Sequence, residues 1–171
     1  MGVSSIDVTL FKKMVMNGAI NLKNNQEEVN QLNVFPVPDG DTGTNMSMTI
    51  TSGVNEMTNS ESSSIIDVAK VLSRGALMGA RGNSGVILSQ FFRGIYVGLK
   101  ENTTNELDKF GLLECFASGR KIAFKAVTEP VEGTILTVIR ESYEKVNCHG
   151  SSPCCHLFIC ICSGHYRGST R

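Results

Sequence analysis

Apolar residues recur at helical spacing along most of the chain, and short polar segments separate these stretches. No run of alternating apolar and polar residues indicates a strand, so the sequence predicts an all-α fold built from successive helices. The apolar positions that define the longer helices are Phe11, Met14, Val15, Gly18 and Leu22, then Met46, Ile50, Val54 and Met57, then Ile65, Ala69, Leu72 and Ala76, then Ile87, Leu88, Phe91, Ile95 and Leu99, then Leu107, Phe110, Leu113, Ala117, Phe124 and Val127, and finally Ile135, Val138, Ile139, Tyr143 and Val146.

Polar caps, glycines and prolines predict where these helices begin and end. We expect Ser4 or Ser5 to cap the first helix and the third helix to begin around Thr44. Ser64 and Asp67 form a capping pair before the fourth helix. The expected breaks lie at residues 24–25, 60–64, 79–85 and 102–105, and at Pro130.

Two aspartates stand one residue apart in a segment, residues 36–45, that is rich in proline and glycine. Asp39 and Asp41 offer oxygen ligands of the kind that bind a hard cation. The small polar residues after them lead into a helix N-terminus, where free N–H groups and the helix dipole favour an anion. A cation site next to an anion site predicts that this segment binds a metal and the phosphates of a nucleotide.

Three turns of similar composition precede apolar helices: Asp-Thr-Gly-Thr-Asn at 41–45, Gly-Asn-Ser-Gly at 82–85 and Glu-Gly-Thr at 132–134. Glycine lets backbone N–H groups approach a ligand closely, and Ser, Thr and Asn add side-chain donors. If the three helix starts meet at one end of a bundle, they form a polyphosphate site without a P-loop. Ordinary helix N-caps use the same residue types and are the structural alternative. The three turns together, beside the aspartate pair, favour the phosphate site.

Other uses of paired aspartates fit the sequence less well. An Asp- and Gly-rich turn needs no ligand at all. A calcium-binding EF-hand loop requires Gly at its sixth position and Glu at its twelfth, where this chain has Thr44 and Ile50. A dehalogenase-type phosphotransferase places its first Asp after a central strand, which Pro36 and Pro38 disfavour here. The sequence also lacks a Walker motif and a dinucleotide-binding glycine motif.

Composition excludes several other classes of protein. The 16 basic and 16 acidic residues give a formal net charge of zero, and there is no Trp, so neither charge nor stacking indicates a nucleic-acid partner. The N-terminus lacks the pattern of a signal peptide, and no apolar run reaches the ~18 residues of a membrane span. These features predict a soluble, cytoplasmic protein without membrane insertion.

Cysteine and histidine are concentrated at the C-terminus, which predicts a boundary between residues 1–146 and a tail, residues 147–171. We expect this tail to be non-native or disordered. A small zinc site is the functional alternative, although Cys-Cys-His and Cys-Ile-Cys do not reproduce the usual spacing of zinc ligands. The residues concerned are Cys148, Cys154, Cys155, Cys160, Cys162, His149, His156 and His165.

Three segments in register, residues 33–46, 78–90 and 130–138, resemble the bacterial fatty acid kinase ATP-binding subunit. The N-terminal domain of that subunit is related to the nucleotide-binding L subunit of dihydroxyacetone kinase. The resemblance covers about residues 1–146. Fatty acid kinases continue through further helices to an Asp-Ser-Gly-Gly-Lys-Gly type motif and then to larger domains. This chain departs from that pattern, so we expect an incomplete domain.

The resemblance implies a barrel of antiparallel helices that binds ATP or ADP with Mg²⁺ and transfers the γ-phosphate to a fatty acid carboxylate. It also implies a fatty-acid-binding carrier protein as partner and a homodimer for the full-length protein. The alternatives are a non-catalytic nucleotide-binding or regulatory module and a dihydroxyacetone-type (glycerone) kinase subunit. The implied catalytic residues are Asp39, Asp41 and Arg81, the metal ligands are Asp39, Asp41 and Asn33, and the nucleotide-binding residues are Thr42, Gly43, Thr44, Asn45, Gly82, Asn83, Ser84, Gly85, Gly133 and Thr134.

Overall fold

The computed structural model describes residues 5–34, 37–101 and 106–149, and in these ranges the chain forms seven helices and no strand. The all-α prediction is therefore confirmed. An isolated antiparallel bridge joins Ile6 to Leu107. The helices are α1 Val8–Asn24, α2 Gln26–Gln31, α3 Thr42–Thr58, α4 Ile65–Met78, α5 Gly82–Glu101, α6 Lys109–Lys125 and α7 Ile135–His149.

The first helix is capped by a different residue from the one predicted. The Asp7 carboxylate accepts a hydrogen bond from the backbone N of Leu10 at 2.7 Å, so Asp7 is the N-cap of α1. Ser5 lies farther from the helix, and its hydroxyl donates to the Glu106 carboxylate at 2.9 Å. Ser4 lies outside the described residues. Both residue types cap helices well, and the sequence alone does not show which of them the chain uses.

The observed starts of α4 and α3 lie at or within two residues of the predicted ones. The Ser64 hydroxyl accepts a hydrogen bond from Asp67 N at 3.5 Å, which confirms the predicted cap of α4. The third helix begins at Thr42 rather than near Thr44. This difference makes Asp41 the N-cap residue of α3 and places the small polar residues after it in the first helical turn.

The buried face of α6 differs from the predicted one. Leu107 is buried but precedes the helix, and Phe110 is 71% exposed. Leu112, Cys115 and Phe116 are buried instead. Burial, with a smaller contribution from nearby glutamates, raises the pKa of the Cys115 thiol to about 12, so this thiol stays protonated at neutral pH.

Helix α5 lies at the centre of the fold and contacts α3, α4, α6 and α7. The Phe91 ring makes T-shaped contacts with the rings of Phe92 and Phe116, at centroid distances of 5.8 Å and 5.5 Å. The backbones of α5 and α6 approach closely, because a Cβ atom at Gly94 would lie 2.4 Å from the Cα of Gly119. The central helix is therefore fixed by aromatic packing and by direct backbone contact.

The helices before α5 determine which ends of the bundle meet. Gly79 lies against Ser52 and Gly75 lies against Glu56, so α3 and α4 run antiparallel. A three-residue connection, residues 79–81, joins α4 to α5, which therefore returns in the direction of α3. As a result, α3 and α5 begin at the same end of the bundle.

The C-terminal helix extends past one predicted boundary. The boundary predicted between residues 146 and 147 lies within α7, which continues to His149.

Some other sequence predictions concern residues that the structure does not describe. The turn at 102–105, Pro36, and most of the tail considered as a zinc site lie outside the described residues. Within the described ranges, no helix has both the length and the apolar character needed to cross a bilayer.

Candidate functional site

The first turns of α3 and α5 lie directly against each other. Gly82, with a φ of +57°, packs on Asn45, because a Cβ atom at Gly82 would lie 2.4 Å from Asn45 Nδ2. The Ser84 hydroxyl donates a long hydrogen bond of 3.5 Å to the carbonyl oxygen of Thr42. The fold therefore brings the first two predicted turns together at one end of the bundle.

Thr49 connects these two turns from the interior. Its side chain is buried, and its hydroxyl donates to the carbonyl oxygen of Asn45 at 2.7 Å and accepts from the backbone N of Arg81 at 3.2 Å. Gly85 leaves room for the hydroxyl, because a Cβ atom there would lie 2.3 Å from it. Sequence reasoning missed Thr49. The available signal was a threonine one turn after Asn45, next to the buried apolar position Ile50.

The two aspartates lie on the exposed side of this junction. Asp39 Oδ1 accepts a hydrogen bond from Asn33 Nδ2 at 2.6 Å, so Asn33 holds one oxygen of this carboxylate. Asp41 occupies the N-cap position of α3, but its side chain makes no capping hydrogen bond. The helix start therefore leaves the Asp41 carboxylate available for another partner.

The chemistry of this donor set fits a magnesium ion. Mg²⁺ in nucleotide sites commonly takes one or two carboxylates from the protein, and the substrate phosphates and water supply the remaining ligands. Asp39 and Asp41 provide such a pair, and Asn33 is placed to orient the first of them. The described ranges contain no group of three or more His, Cys, Asp or Glu side chains that could hold a metal ion by themselves. A metal ion on this pair would therefore need further ligands, such as phosphate or water, to complete its coordination shell.

The short helix α2 holds the first turn of α3 from the other side. Asn30 Nδ2 donates to the Thr44 hydroxyl at 3.1 Å, and Asn30 Oδ1 accepts from the backbone N of Thr44 at 3.1 Å. Gln26 Nε2 donates to the same hydroxyl at 3.2 Å. Gly43 packs closely on α2, because a Cβ atom there would lie 2.2 Å from the carbonyl oxygen of Gln26. Sequence reasoning missed both amides, although their spacing of four residues places them on one face of α2.

These contacts decide which backbone groups remain for a ligand. The first residues of a helix have N–H groups without an intrahelical acceptor. At the start of α3 the N–H group of Thr44 is already bonded to Asn30, whereas the N–H groups of Thr42 and Gly43 have no acceptor among the described residues. The positive end of the α3 dipole and two backbone donors therefore lie beside the aspartate pair.

Arg81 and Asn83 extend the junction toward solvent, and both are exposed. The Arg81 guanidinium donates from one nitrogen to the carbonyl oxygen of Ala80 at 3.1 Å. This local bond leaves most of its five donors for solvent or an anion. Arg81 therefore brings a positive charge to the start of α5 without an ion pair within the described part of the chain.

The third predicted turn is held by its own neighbours. Gly133 has a φ of +80°, and its N–H donates to the Thr137 hydroxyl at 2.8 Å. That hydroxyl donates to the Glu132 carboxylate at 2.7 Å, and the Thr134 hydroxyl donates to the carbonyl oxygen of Val131 at 2.8 Å. Among the described residues, no hydrogen bond joins this turn to the other two. The meeting of all three turns in one site stays a prediction.

An ion-pair network reinforces the third turn. Arg140 lies 3.0 Å from Glu132 and 3.2 Å from Glu144. The hydrogen bond from Thr137, followed by that from Arg140, lowers the pKa of the Glu132 carboxyl below its usual value. Because these contacts favour the charged form of Glu132, they stabilise the turn fully at pH values above the ordinary pKa of a glutamate. They are lost as the pH falls through the lowered value.

Comparisons with known proteins give a family and several relatives. The family model described as the DAK2 domain matches residues 36–153. An uncharacterized protein of Staphylococcus haemolyticus is 54% identical over 140 residues, which is 82% of this chain and 25% of the relative. Uncharacterized proteins of Staphylococcus epidermidis and Staphylococcus aureus (strain USA300) are 52% and 51% identical over the same share of each chain. The chain thus spans 25% of the length of these relatives.

Proposed function

Because the chain belongs to the DAK2 domain family, a kinase-related family, we propose that it is the nucleotide-binding part of an ATP- and Mg²⁺-dependent fatty acid kinase. The phosphoryl acceptor would be a fatty acid carboxylate that a lipid-carrier protein presents, and the product would be an acyl phosphate. The observation that carries this proposal is the contact between the starts of α3 and α5 beside Asp39 and Asp41. In the proposed site, a phosphate at these helix starts would lie beside a metal ion held by the aspartate pair.

In the proposed reaction these residues would position the phosphates and neutralise their negative charge. Phosphoryl transfer requires little covalent participation by the protein. The N–H groups of Thr42 and Gly43 would bind phosphate oxygens, and Asp39 and Asp41 would hold Mg²⁺. When bound, the metal would neutralise charge on the phosphates. The exposed guanidinium of Arg81 is available to the transferring phosphoryl group.

Carrier binding and homodimer formation belong to the proposal for the whole protein, since this chain spans 25% of the length of its relatives. Within the chain, we assign nucleotide binding to residues 1–146 and treat residues 147–171 as a separate tail. Nucleotide binding without turnover is the second candidate function. It is supported by the third turn, whose hydrogen bonds among the described residues stay local.

The direct test is turnover of ATP by the purified full chain in the presence of Mg²⁺ and a fatty-acid-loaded carrier protein. We expect release of ADP that requires both the metal and the loaded carrier, together with an acyl phosphate that hydroxylamine traps. Release of ADP with dihydroxyacetone instead would identify a glycerone kinase subunit. Binding of Mg-ATP without turnover of either acceptor would support the non-catalytic module.

Substitutions in the second and third turns test whether both contact phosphate. Ser84→Ala and Thr134→Val should each weaken ATP binding by about tenfold, or ~1.4 kcal/mol, because in the proposed complex each hydroxyl turns its one hydrogen from the carbonyl oxygen of Thr42 or Val131 to a phosphate oxygen. Both should change adenosine binding much less, since adenosine lacks phosphates. Calorimetric titration with the two ligands measures this difference. Loss of affinity in Ser84→Ala alone would limit the site to the first two turns, and equal weakening for both ligands would indicate a folding defect.

A further inference from the structure

The Thr44 side chain has only one hydrogen-bonding direction left for a ligand. A threonine hydroxyl carries one hydrogen and two acceptor lone pairs. Both lone pairs of Thr44 Oγ1 accept from α2, with Asn30 Nδ2 at 3.1 Å and Gln26 Nε2 at 3.2 Å. No acceptor in the described part of the chain receives its hydrogen. With the Gln26 amide nitrogen facing this hydroxyl, the hydroxyl donates away from α2, to a ligand or to solvent.

Asn30 determines this direction through both atoms of its amide. The backbone N–H of Thr44 requires an oxygen, so Oδ1 of Asn30 faces it at 3.1 Å. The amide nitrogen of Asn30 must then face the Thr44 hydroxyl, where it can only donate. Asn30 Oδ1 therefore occupies the N–H of Thr44, which is no longer available to a ligand. Asn30 Nδ2 cannot accept the hydrogen of the Thr44 hydroxyl, so the hydroxyl does not donate to Asn30.

We propose that Asn30 is a positioning residue that makes the Thr44 hydroxyl a phosphate donor at the start of α3. This inference rests on the proposed nucleotide site, and it specifies how one residue of that site works. Thr44 would contact phosphate through its O–H group, whereas Thr42 and Gly43 would use their backbone N–H groups. A hydrogen bond to a charged phosphate oxygen is stronger than a neutral one. Removing the hydroxyl should therefore have a measurable effect on binding.

The test compares binding of Mg-ATP and of adenosine to four variants of the full chain by calorimetric titration. Thr44→Val and Asn30→Ala should each weaken Mg-ATP binding by about tenfold and leave adenosine binding nearly unchanged. Thr44→Ser keeps the hydroxyl and should bind Mg-ATP as the parent does. If Asn30 acts through Thr44, the double variant Asn30→Ala/Thr44→Val should be weakened by about tenfold and not by about a hundredfold.

A matched control separates positioning from simple support of α2. Gln31→Ala removes an exposed amide from the same short helix and should leave both affinities and the Tm unchanged. Additive losses in the double variant, or a Thr44→Ser variant as weak as Thr44→Val, would overturn the positioning role while the nucleotide site stands. A parent chain that binds no Mg-ATP would overturn the proposed function and this inference with it.

Discussion

Phe91→Ala should lower the free energy of unfolding by ~3–5 kcal/mol, the usual cost of deleting a buried aromatic ring. Phe91 is 1% exposed and contacts the rings of Phe92 and Phe116 from the central helix. Its ring also packs on the Cα of Gly119, so a Cβ atom there would lie 2.8 Å from the ring. The close approach of α5 and α6 leaves little freedom for the site to collapse around the missing ring. Chemical denaturation followed by helical circular dichroism measures the change.

Phe110 supplies the matched control, because it has the same chemistry in the first turn of α6 but is 71% exposed. Phe110→Ala should change the free energy of unfolding by less than about 0.5 kcal/mol. If the two substitutions were equally costly, the assignment of the buried face of α6 would be wrong. A small cost for Phe91→Ala would mean that the α5–α6 contact is not central to stability.

The sequence predicts the all-α class and the six longer helices because their apolar positions repeat with a clear helical period. It fails at α6, where apolar residues occur on more than one face of the helix. Hydropathy ranks Phe110 as a core residue, but the close contact of Gly94 with Gly119 turns a different face toward α5. Periodicity identifies a helix, whereas the faces that meet depend on which backbones can approach.

In the candidate site, too, the sequence shows the local turn chemistry but not the contacts between helices. The turn chemistry around Asp39, Asp41 and Gly82 is local, and the sequence displays it directly. Thr49 and Asn30 act across the space between helices, so their roles depend on how α2, α3 and α5 pack. A polar residue inside an amphipathic helix does not reveal its partner. Both residues could be singled out only after the helices had been placed.

Asp39→Asn and Asp41→Asn should each abolish Mg²⁺-dependent binding of nucleotide, with a loss of at least about a hundredfold in affinity, or ~2.7 kcal/mol. An amide is a poor ligand for Mg²⁺, which prefers charged oxygen, so each substitution removes half of the proposed acidic pair. Neither change should unfold the chain. In Asp39→Asn the oxygen of the new amide would still accept the hydrogen bond from Asn33, and the Asp41 side chain makes no cap hydrogen bond that could be lost.

The control is Asp67→Asn, which neutralises an exposed carboxylate in the first turn of α4, away from the junction of α3 and α5. This variant should bind Mg-ATP as the parent does, so that a change in net charge alone is excluded as a cause. Titrating each variant with ATP at several Mg²⁺ concentrations separates loss of the metal from loss of the phosphate contacts, because the N–H groups of Thr42 and Gly43 remain. Weak, Mg²⁺-independent binding of ATP should therefore survive in Asp39→Asn and Asp41→Asn. If both variants bind Mg-ATP as tightly as the parent, the aspartates do not hold the metal, and the starts of α3 and α5 would form an anion site alone.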